Sequence, residues 1–465
     1  MNQQRTPLFD MLQRYASNKT TFHVPGHKNG TVFPEQAATY FQPLLQIDAT
    51  EITGLDDLHA PEEAILEAQQ LLQAHYQSQA SYFLVNGSTV GNLAMILATI
   101  QPHDAVLVQR NCHKSILHGL ELAGAQPIFI APTYDADWQL GTSLSTESVA
   151  QAFADFPQAK ALLVTYPNYY GLAQQNIRDI IAIAHAHDAV VLVDEAHGAH
   201  FTLQQFPESA LQHGADVVIH SAHKTLPAMT MGSYLHIGSA RVARSRIEYY
   251  LQMLQSSSPS YPIMGSLDIA RFYLASYIEE TPLIDSIETF KHALHTIDGI
   301  RVLEAPVYCE LDPLKVTIQS TNHVSGYALQ VALEAVGIYP ELADPYNVLL
   351  ILPLAVTDYT EVLQKMAYAF SQLIPETMPT VHYTPPHTTM LAMSYTQLHT
   401  ATTEFVPLIE AVGRISAEMV TPYPPGIPLI MYGERIVDAH ITAIAQYERF
   451  HGGEQLQQGL LRVIK

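Results

Sequence analysis

One lysine, Lys224, directly follows an apolar run, Val217-Val-Ile-His220, and has Ser221 and His223 beside it. The chain holds nine lysines, and none of the other eight stands in such a place. A partly desolvated lysine at a strand end has a depressed pKa and serves as a Schiff-base nucleophile; a solvated surface cation is the plain alternative. Thirty positions earlier, Val190-Val-Leu-Val-Asp194-Glu-Ala-His197 sets a carboxylate against the end of another apolar run. A buried carboxylate there needs a proton or a cation, and a pyridinium N–H satisfies that need. A third segment, Asn86-Gly-Ser-Thr-Val-Gly-Asn92, leaves a strand and opens a helix, offering Ser88 and Thr89 hydroxyls with backbone N–H groups to a phosphate. Such Gly-Ser-Thr turns are also common N-caps. A fourth, Arg110-Asn-Cys-His-Lys-Ser115, supplies His113 to lie over a flat ring or, on the ordinary reading, to be a satisfied structural histidine.

Together these are the four parts that pyridoxal 5'-phosphate requires: a phosphate cup, a stacking imidazole, an acid for the ring nitrogen and a lysine for the aldehyde carbon. The elements that must hold them alternate. Apolar runs at Tyr82–Val85, Ala105–Val108, Pro127–Ile130, Ala161–Thr165, Val190–Val193 and Val217–His220 read as strands. Val90–Ile100, Ser115–Ala123, Thr146–Phe153 and Ile177–His187 read as helices. This order predicts a doubly wound α/β fold with ligand chemistry at the C-terminal strand ends. Pro61–Tyr76 reads as an amphipathic helix, Arg241–Tyr277 as a long helical region and Glu404–Met419 as a further helix; Lys315–Ile318 through Leu349–Leu354 forms a second α/β-like stretch. The expected division is 1–50 as an N-terminal segment, 51–290 as the large domain, 291–377 as a small α/β domain and 378–465 as a C-terminal domain. Met378–His387 serves as the linker.

Composition narrows the classes. The chain has 465 residues, 48% of them hydrophobic and 14% charged, which excludes disorder and provides for several domains. A formal charge of −22 repels nucleic acid and anionic membranes. Two cysteines, Cys112 and Cys309, give neither a disulfide framework nor a zinc pattern, and no stretch is long and apolar enough to span a bilayer. A cytoplasmic protein is expected.

The sequence resembles the Orn/Lys/Arg decarboxylase family of fold-type-I pyridoxal-phosphate enzymes, in its short form without the N-terminal wing domain. The resemblance is carried by Phe22-His-Val-Pro-Gly-His-Lys-Asn-Gly30, Gly54-Leu-Asp-Asp-Leu-His59, Asn86-Gly-Ser-Thr89, Arg110-Asn-Cys-His-Lys-Ser115, Asp194-Glu-Ala-His197, Ser221-Ala-His-Lys224, Gln255-Ser-Ser-Ser-Pro-Ser-Tyr261 and Tyr423-Pro-Pro-Gly426. It implies a large domain with a mixed, mostly parallel sheet plus smaller α/β C-terminal parts, and decarboxylation of a basic L-amino acid. Arginine or lysine is favoured and ornithine is the further possibility. Residue by residue it implies Lys224 as the lysine that carries the cofactor, Asp194 at the pyridine nitrogen and His113 stacked on the ring. Ser88, Thr89, Ser221 and His223 lie at the phosphate, and His197 joins the cofactor-contacting set. His223 or Lys224 returns the proton after CO₂ leaves, Glu341 meets the distal cation of the substrate, and Ser258 belongs to a stretch leaning into the site of a partner in a homodimer.

Asp57 and Asp56 read either as acids facing a basic substrate or as caps for the helix near Pro61. His197 stands where some relatives carry tryptophan, and Tyr166-Pro-Asn-Tyr169 replaces the more common Asn-Pro-Thr-Tyr, so the choice among basic substrates is not inherited with the family. Two other readings stay open. One is a different pyridoxal-phosphate reaction on the same fold, aminotransferase or lyase. The other is a metal-dependent hydrolase built on the three-apart pairs His197/His200 and His220/His223.

Overall fold

The computed structural model describes residues 1–17, 20–375, 386–422, 427–447 and 450–465. The Tyr423-Pro-Pro-Gly426 motif and most of the expected linker Met378–His387 lie outside the described residues. The chain divides into two compact units, one of Met1–Thr99, Leu192–Gln204 and Glu208–Ile278, the other of Ile100–Val191, Gln205–Pro207 and Glu279–Lys465.

In the first unit the strands Ala80–Leu84, Ser233–Ile237, Val217–His220 and, from Leu192 onward, Val190–Asp194 lie side by side in that order. The first two pairings are antiparallel and the last is parallel, with Leu192 opposite Val217 and Asp194 opposite Ile219. Every residue of these strands except Val190 is buried, which reflects cover on both faces. The helix Gly87–Thr99 leaves the end of the first strand and packs against Leu84 and Ile219 through Gly91, where a Cβ would stand 2.7 Å from Leu84 Cδ1 and 3.0 Å from Ile219 Cδ1. Only glycine lets the helix approach so closely.

The helices Pro7–Tyr15, Ala64–Tyr76 and Tyr261–Ala275 pack on one another. Their junction holds a fully buried Arg271–Asp268 pair at 2.8 Å. Asp268 also accepts from the Leu8 and Phe9 amides, and Arg271 donates to the Gln3 and Arg5 carbonyls, which leaves Arg271 Nε as the one atom of the pair without a hydrogen-bond partner among the described residues.

The second unit carries the strands Ala161–Thr165, Ala105–Gln109 and Gln126–Ile130 in parallel, with Thr388–Met390 antiparallel on the edge. A separate antiparallel sheet runs in the order Ile300–Val302, Lys315–Ser320, Asn347–Ile351, Leu342–Ala343. The buried pair of Arg110 and Glu434, at 2.8 Å, ties the end of the Ala105–Gln109 strand to the C-terminal part.

Three expected elements differ. Glu404–Met419 is not a helix: Thr403–Pro407 is a strand paired antiparallel with Leu460–Ile464, followed by a 3-10 turn at Leu408–Glu410. Pro407 has no N–H to give a helix, and Val406 is the one strand residue pointing into the cluster of Val420, Ile430, Leu461 and Val463. Arg241–Tyr277 is two helices, Arg244–Leu254 and Tyr261–Ala275, parted by Ser256-Ser-Ser-Pro259. The helix expected from Pro61 begins at Ala64 because the Asp56 carboxylate accepts the amides of Glu62, Glu63, Ile65 and Leu66, holding the chain in a turn before the helix. For Asp56 the capping reading is thus the observed one.

Buried histidines set the response of this fold to acid. Burial holds His236 well below its ordinary 6.5, with His220 and His75 adding to the effect. Burial and Arg271 bring His75 to about 4; burial and Arg110, opposed by Glu434, bring His440 to about 4. The folded state keeps these rings neutral while the unfolded chain takes up protons below 6.5, so stability is lost as pH falls through the window from 6.5 toward 4. Each ring contributes a slope of about 1.4 kcal/mol per pH unit once the unfolded chain is protonated. Denaturant midpoints measured at pH 7 and pH 5 should drop accordingly, and a flat profile would contradict the neutral assignment.

Candidate active site

Two adjacent parallel strands, Val190–Asp194 and Val217–His220, end side by side, and the residues that leave them bear the chemistry. Asp194 is 4% exposed. Its Oδ2 accepts from Asn92 Nδ2 at 2.9 Å and its Oδ1 from the Ala196 amide at 3.3 Å. Among the described residues no cationic side chain is paired with it. A buried carboxylate held by two neutral donors is complementary to an N–H cation arriving from outside the protein.

Past the second strand, Ser221 leads into the four-residue helix Ala222–Thr225 that carries Lys224. Lys224 Nζ lies 3.0 Å from His197 Nε2, so the residue two places after Glu195 is a direct neighbour of the amine. His223 Nδ1 donates to the Gly232 carbonyl at 3.0 Å, which fixes the ring beside the lysine turn.

Ser221 Oγ donates to Ser88 Oγ at 2.7 Å, joining the lysine turn to the first turn of helix Gly87–Thr99. Gly87 takes φ +76, with nothing within 4 Å of a Cβ placed there, and so leaves an open approach to the helix N-terminus. Thr89 is exposed on that same turn. The positive end of the helix dipole, two serine hydroxyls and a threonine make an anion cradle.

Against this cradle lies the segment that breaks the expected long helix. Gln255 Oε1 accepts from the Val85 amide at 2.9 Å, and His59 Nε2 donates to the Ser256 carbonyl at 2.9 Å. Ser258 is exposed, its carbonyl accepting from Ser256 Oγ at 3.1 Å. Asp57 is half-buried, with Oδ1 accepting from the His59 amide at 2.8 Å.

The structure therefore gathers Ser88, Ser221, His197, Lys224 and Asp194 around two strand ends and one helix start, with His223 and Thr89 on the same turns. His113 and Glu341 belong to the second unit. His113 is the N-cap of helix Lys114–Ala123, its Nδ1 accepting from the Ser115 amide at 3.3 Å. Glu341 is exposed, next to the short strand Leu342–Ala343, and its amide donates to the Leu349 carbonyl at 3.0 Å. Among the described residues no group of three or more His, Cys, Asp or Glu is placed to hold a metal ion. His220 instead sets Nε2 3.0 Å from Glu195 Oε1, both side chains fully buried, while Glu195 Oε2 accepts the Ala210 amide.

Two supporting residues escape a reading by motif. Asn92 is 1% exposed in the second turn of its helix, and its only signal in the sequence is an amide at a core-facing position, which must find a polar partner. Glu195 braces the strand end behind Asp194; an acid directly following an acid in an apolar context was the available hint.

The chemistry of this donor set fits pyridoxal phosphate: an anion cradle, a buried carboxylate lacking a cation, and an amine beside an imidazole. The model of the Orn/Lys/Arg decarboxylase major domain matches residues 6–307, and that of the family's C-terminal domain matches 374–455. The chain belongs to the Orn/Lys/Arg decarboxylase family. Within it, the chain is 47% identical to the uncharacterized protein YaaO of Bacillus subtilis, over 95% of this chain and 94% of that one. It is 36% identical to the arginine decarboxylase of Bacillus subtilis, over 96% and 94%. The lysine decarboxylase LdcF of Francisella novicida superposes with TM-score 0.83 at 20% identity, covering 99% of this chain and 81% of that one. A serine palmitoyltransferase from S. paucimobilis, solved with a bound PLP–myriocin aldimine, shares the fold more distantly, with TM-score 0.54 at 16% identity over 72% of this chain and 82% of that one. The fold class is that of the fold-type-I enzymes, α/β with a mixed, mostly parallel sheet. In the described residues no helix is long and apolar enough to cross a membrane.

Proposed function

We propose that this decarboxylase binds pyridoxal phosphate and acts on arginine in preference to lysine, and on ornithine least, giving agmatine as the main product. The observation that carries the cofactor is the buried carboxylate of Asp194, which has no cationic partner among the described residues, one strand away from Lys224, with the Ser88–Ser221 cradle on the same turns. The order of substrates rests on the likeness to an arginine decarboxylase along almost the whole of both chains.

Bound there, the cofactor supplies an electron sink for the pair released as the α-carboxylate leaves as CO₂. The protein's own residues do the rest. Asp194 keeps a proton on the ring nitrogen, and Asn92 holds the carboxylate in the orientation for it. Ser88, Thr89 and Ser221 bind the phosphate. Lys224 would hold the cofactor covalently, and His197 Nε2, 3.0 Å from Nζ, is placed to exchange a proton with that amine. Lys224 or His223 would supply the proton that replaces the lost carboxylate. By the family resemblance His113 would lie over the ring, and Glu341 and Asp57 would be the acids that meet a distal guanidinium or ammonium.

We further propose a cytoplasmic homodimer with Ser258 contributing to the partner's site. In support, Phe22, Val24, Val32, Tyr40 and Phe41 are exposed within one short N-terminal stretch, apolar side chains that a subunit contact would cover. The division into 1–50, 51–290, 291–377 and 378–465 stays part of this proposal. CO₂ release from arginine, lysine and ornithine under equal conditions tests the substrate. Arginine is expected to lead in kcat/KM by about tenfold or more, the discrimination expected of a charge-matched pocket. Equal rates would overturn the order, and amino transfer without CO₂ would overturn the reaction.

A further inference from the structure

The strand ends that carry Asp194 and Ser221 have a second face. Asp194 and Ser221 meet the helix Gly87–Thr99, through Asn92 and Ser88. Side chains alternate across a strand, and the next residues along, Glu195 and His220, meet other parts of the chain. Glu195 Oε2 accepts the Ala210 amide at 2.8 Å, and the His220 ring lies 5.1 Å from that of Tyr76 on the helix Ala64–Tyr76.

On this reverse face Glu195 Oε1 accepts from His220 Nε2 at 3.0 Å, with both side chains fully buried. His220 Nδ1 has no hydrogen-bond partner among the described residues, so the bond to Glu195 is the polar contact this ring makes there. The seat admits little movement. Tyr76, whose hydroxyl donates to the Ala199 carbonyl, and His236, edge-on at 4.9 Å, enclose the imidazole. Gly198 makes room for the carboxyl: a Cβ there would stand 2.7 Å from Glu195 Cγ and 2.9 Å from Oε1, closer than a side-chain carbon can approach.

What the bond ties together gives it a consequence. Asp194 leaves one strand and Ser221 the other, and the Lys224 amide donates to the Ser221 carbonyl at 3.0 Å, so the lysine turn moves with Ser221. Past the strands the backbone links between the two are long. The Ala196 amide reaches Asp194 Oδ1 at 3.3 Å, and the Ala196 carbonyl takes the Ser221 amide at 3.2 Å. Pyridoxal phosphate is a rigid ring, so an acid for its nitrogen and a cradle for its phosphate must stand at one fixed separation.

We infer that Glu195 and His220 are a positioning pair: their bond sets the separation between the Asp194 carboxylate and the Ser221–Lys224 turn, and with it the tightness and orientation in which the cofactor is held. The two residues stand outside the catalytic set and act through Asp194 and Ser221. The inference rests on the pyridoxal-phosphate reading of this site.

Three variants test it. His220→Leu keeps most of the volume and donates nothing, leaving Glu195 Oε1 buried without that partner. Gly198→Ala leaves both partners in the chain and displaces the carboxyl. His220→Gln keeps an N–H at the reach of Nε2. Each is compared with wild type by the Kd for pyridoxal phosphate and the position of the visible band on titration of the cofactor-free protein, by kcat and KM of the loaded enzyme, and by the denaturant midpoint of the cofactor-free chain.

His220→Leu and Gly198→Ala are expected to shift the band and to weaken cofactor binding by about tenfold, the scale of one lost hydrogen bond to a carboxyl group. Their kcat should fall by about tenfold with KM little changed, part of the roughly hundredfold cost of a 1 Å misplacement, because the backbone links remain. His220→Gln should stay within about threefold of wild type in both, since the donor is retained. A lower denaturant midpoint with unaltered Kd and band in the two disrupting variants would make the pair merely structural and overturn the inference. So would a His220→Gln enzyme as impaired as His220→Leu. Should one disrupting variant fail to fold, the other decides together with His220→Gln. Failure of the cofactor reading is distinct: it would show as a wild-type protein without a visible band.

Discussion

Replacement of Lys224 by alanine is expected to lower kcat by about a thousandfold or more while the protein remains folded, because the covalent attachment proposed for it needs an amine that alanine does not carry. The side chain is half-buried in a helix of only four residues, and its Nζ lies 3.0 Å from His197 Nε2. The Ser88–Ser221 cradle and the Asp194 carboxylate remain, and the variant should still bind the cofactor in a form that dialysis removes. CO₂ release measured beside the circular dichroism of the same sample separates this outcome from unfolding. Activity within tenfold of the wild type would remove Lys224 from the mechanism.

Asp194→Asn is expected to act differently. Asparagine keeps the shape and accepts the Asn92 amide through its oxygen, but it carries no charge to hold a proton on a ring nitrogen. The expected effect is a loss of about a hundredfold or more in kcat with KM little changed, the signature of an interaction used only in the transition state. Stability of the cofactor-free chain should hold or rise, since the substitution removes a buried charge that no cationic side chain balances among the described residues. Reduced activity with a parallel fall in stability would mean that Asp194 is structural; unchanged kcat would mean that it is idle.

Much of this was legible in the sequence, for definite reasons. Strands covered on both faces read as short apolar runs, so Ala161–Thr165 and Val217–His220 were located to the residue, and the residues leaving such runs, Asp194 and Ser221–Lys224, were located with them. The starts of helices were less legible. Asp56 delays one helix to Ala64 through hydrogen bonds to amides six to ten residues ahead, which no local pattern reports. The stretch from Thr403 has enough apolar residues for either period, and pairing with the distant Leu460–Ile464 decides for strand. Ser256-Ser-Ser-Pro259 carried its own signal of a break; inside an apolar pattern continuing on both sides it was outweighed. Asn92 and the Glu195–His220 pair were out of reach because their roles are defined by partners 102 and 25 positions away.

The most direct test of the central claim is to reduce the cofactor-loaded protein with borohydride, digest it and locate the cofactor by mass. The pyridoxyl group is expected on the peptide containing Lys224. Its appearance on any of the other lysines, or on none after saturation with the cofactor, would contradict the account.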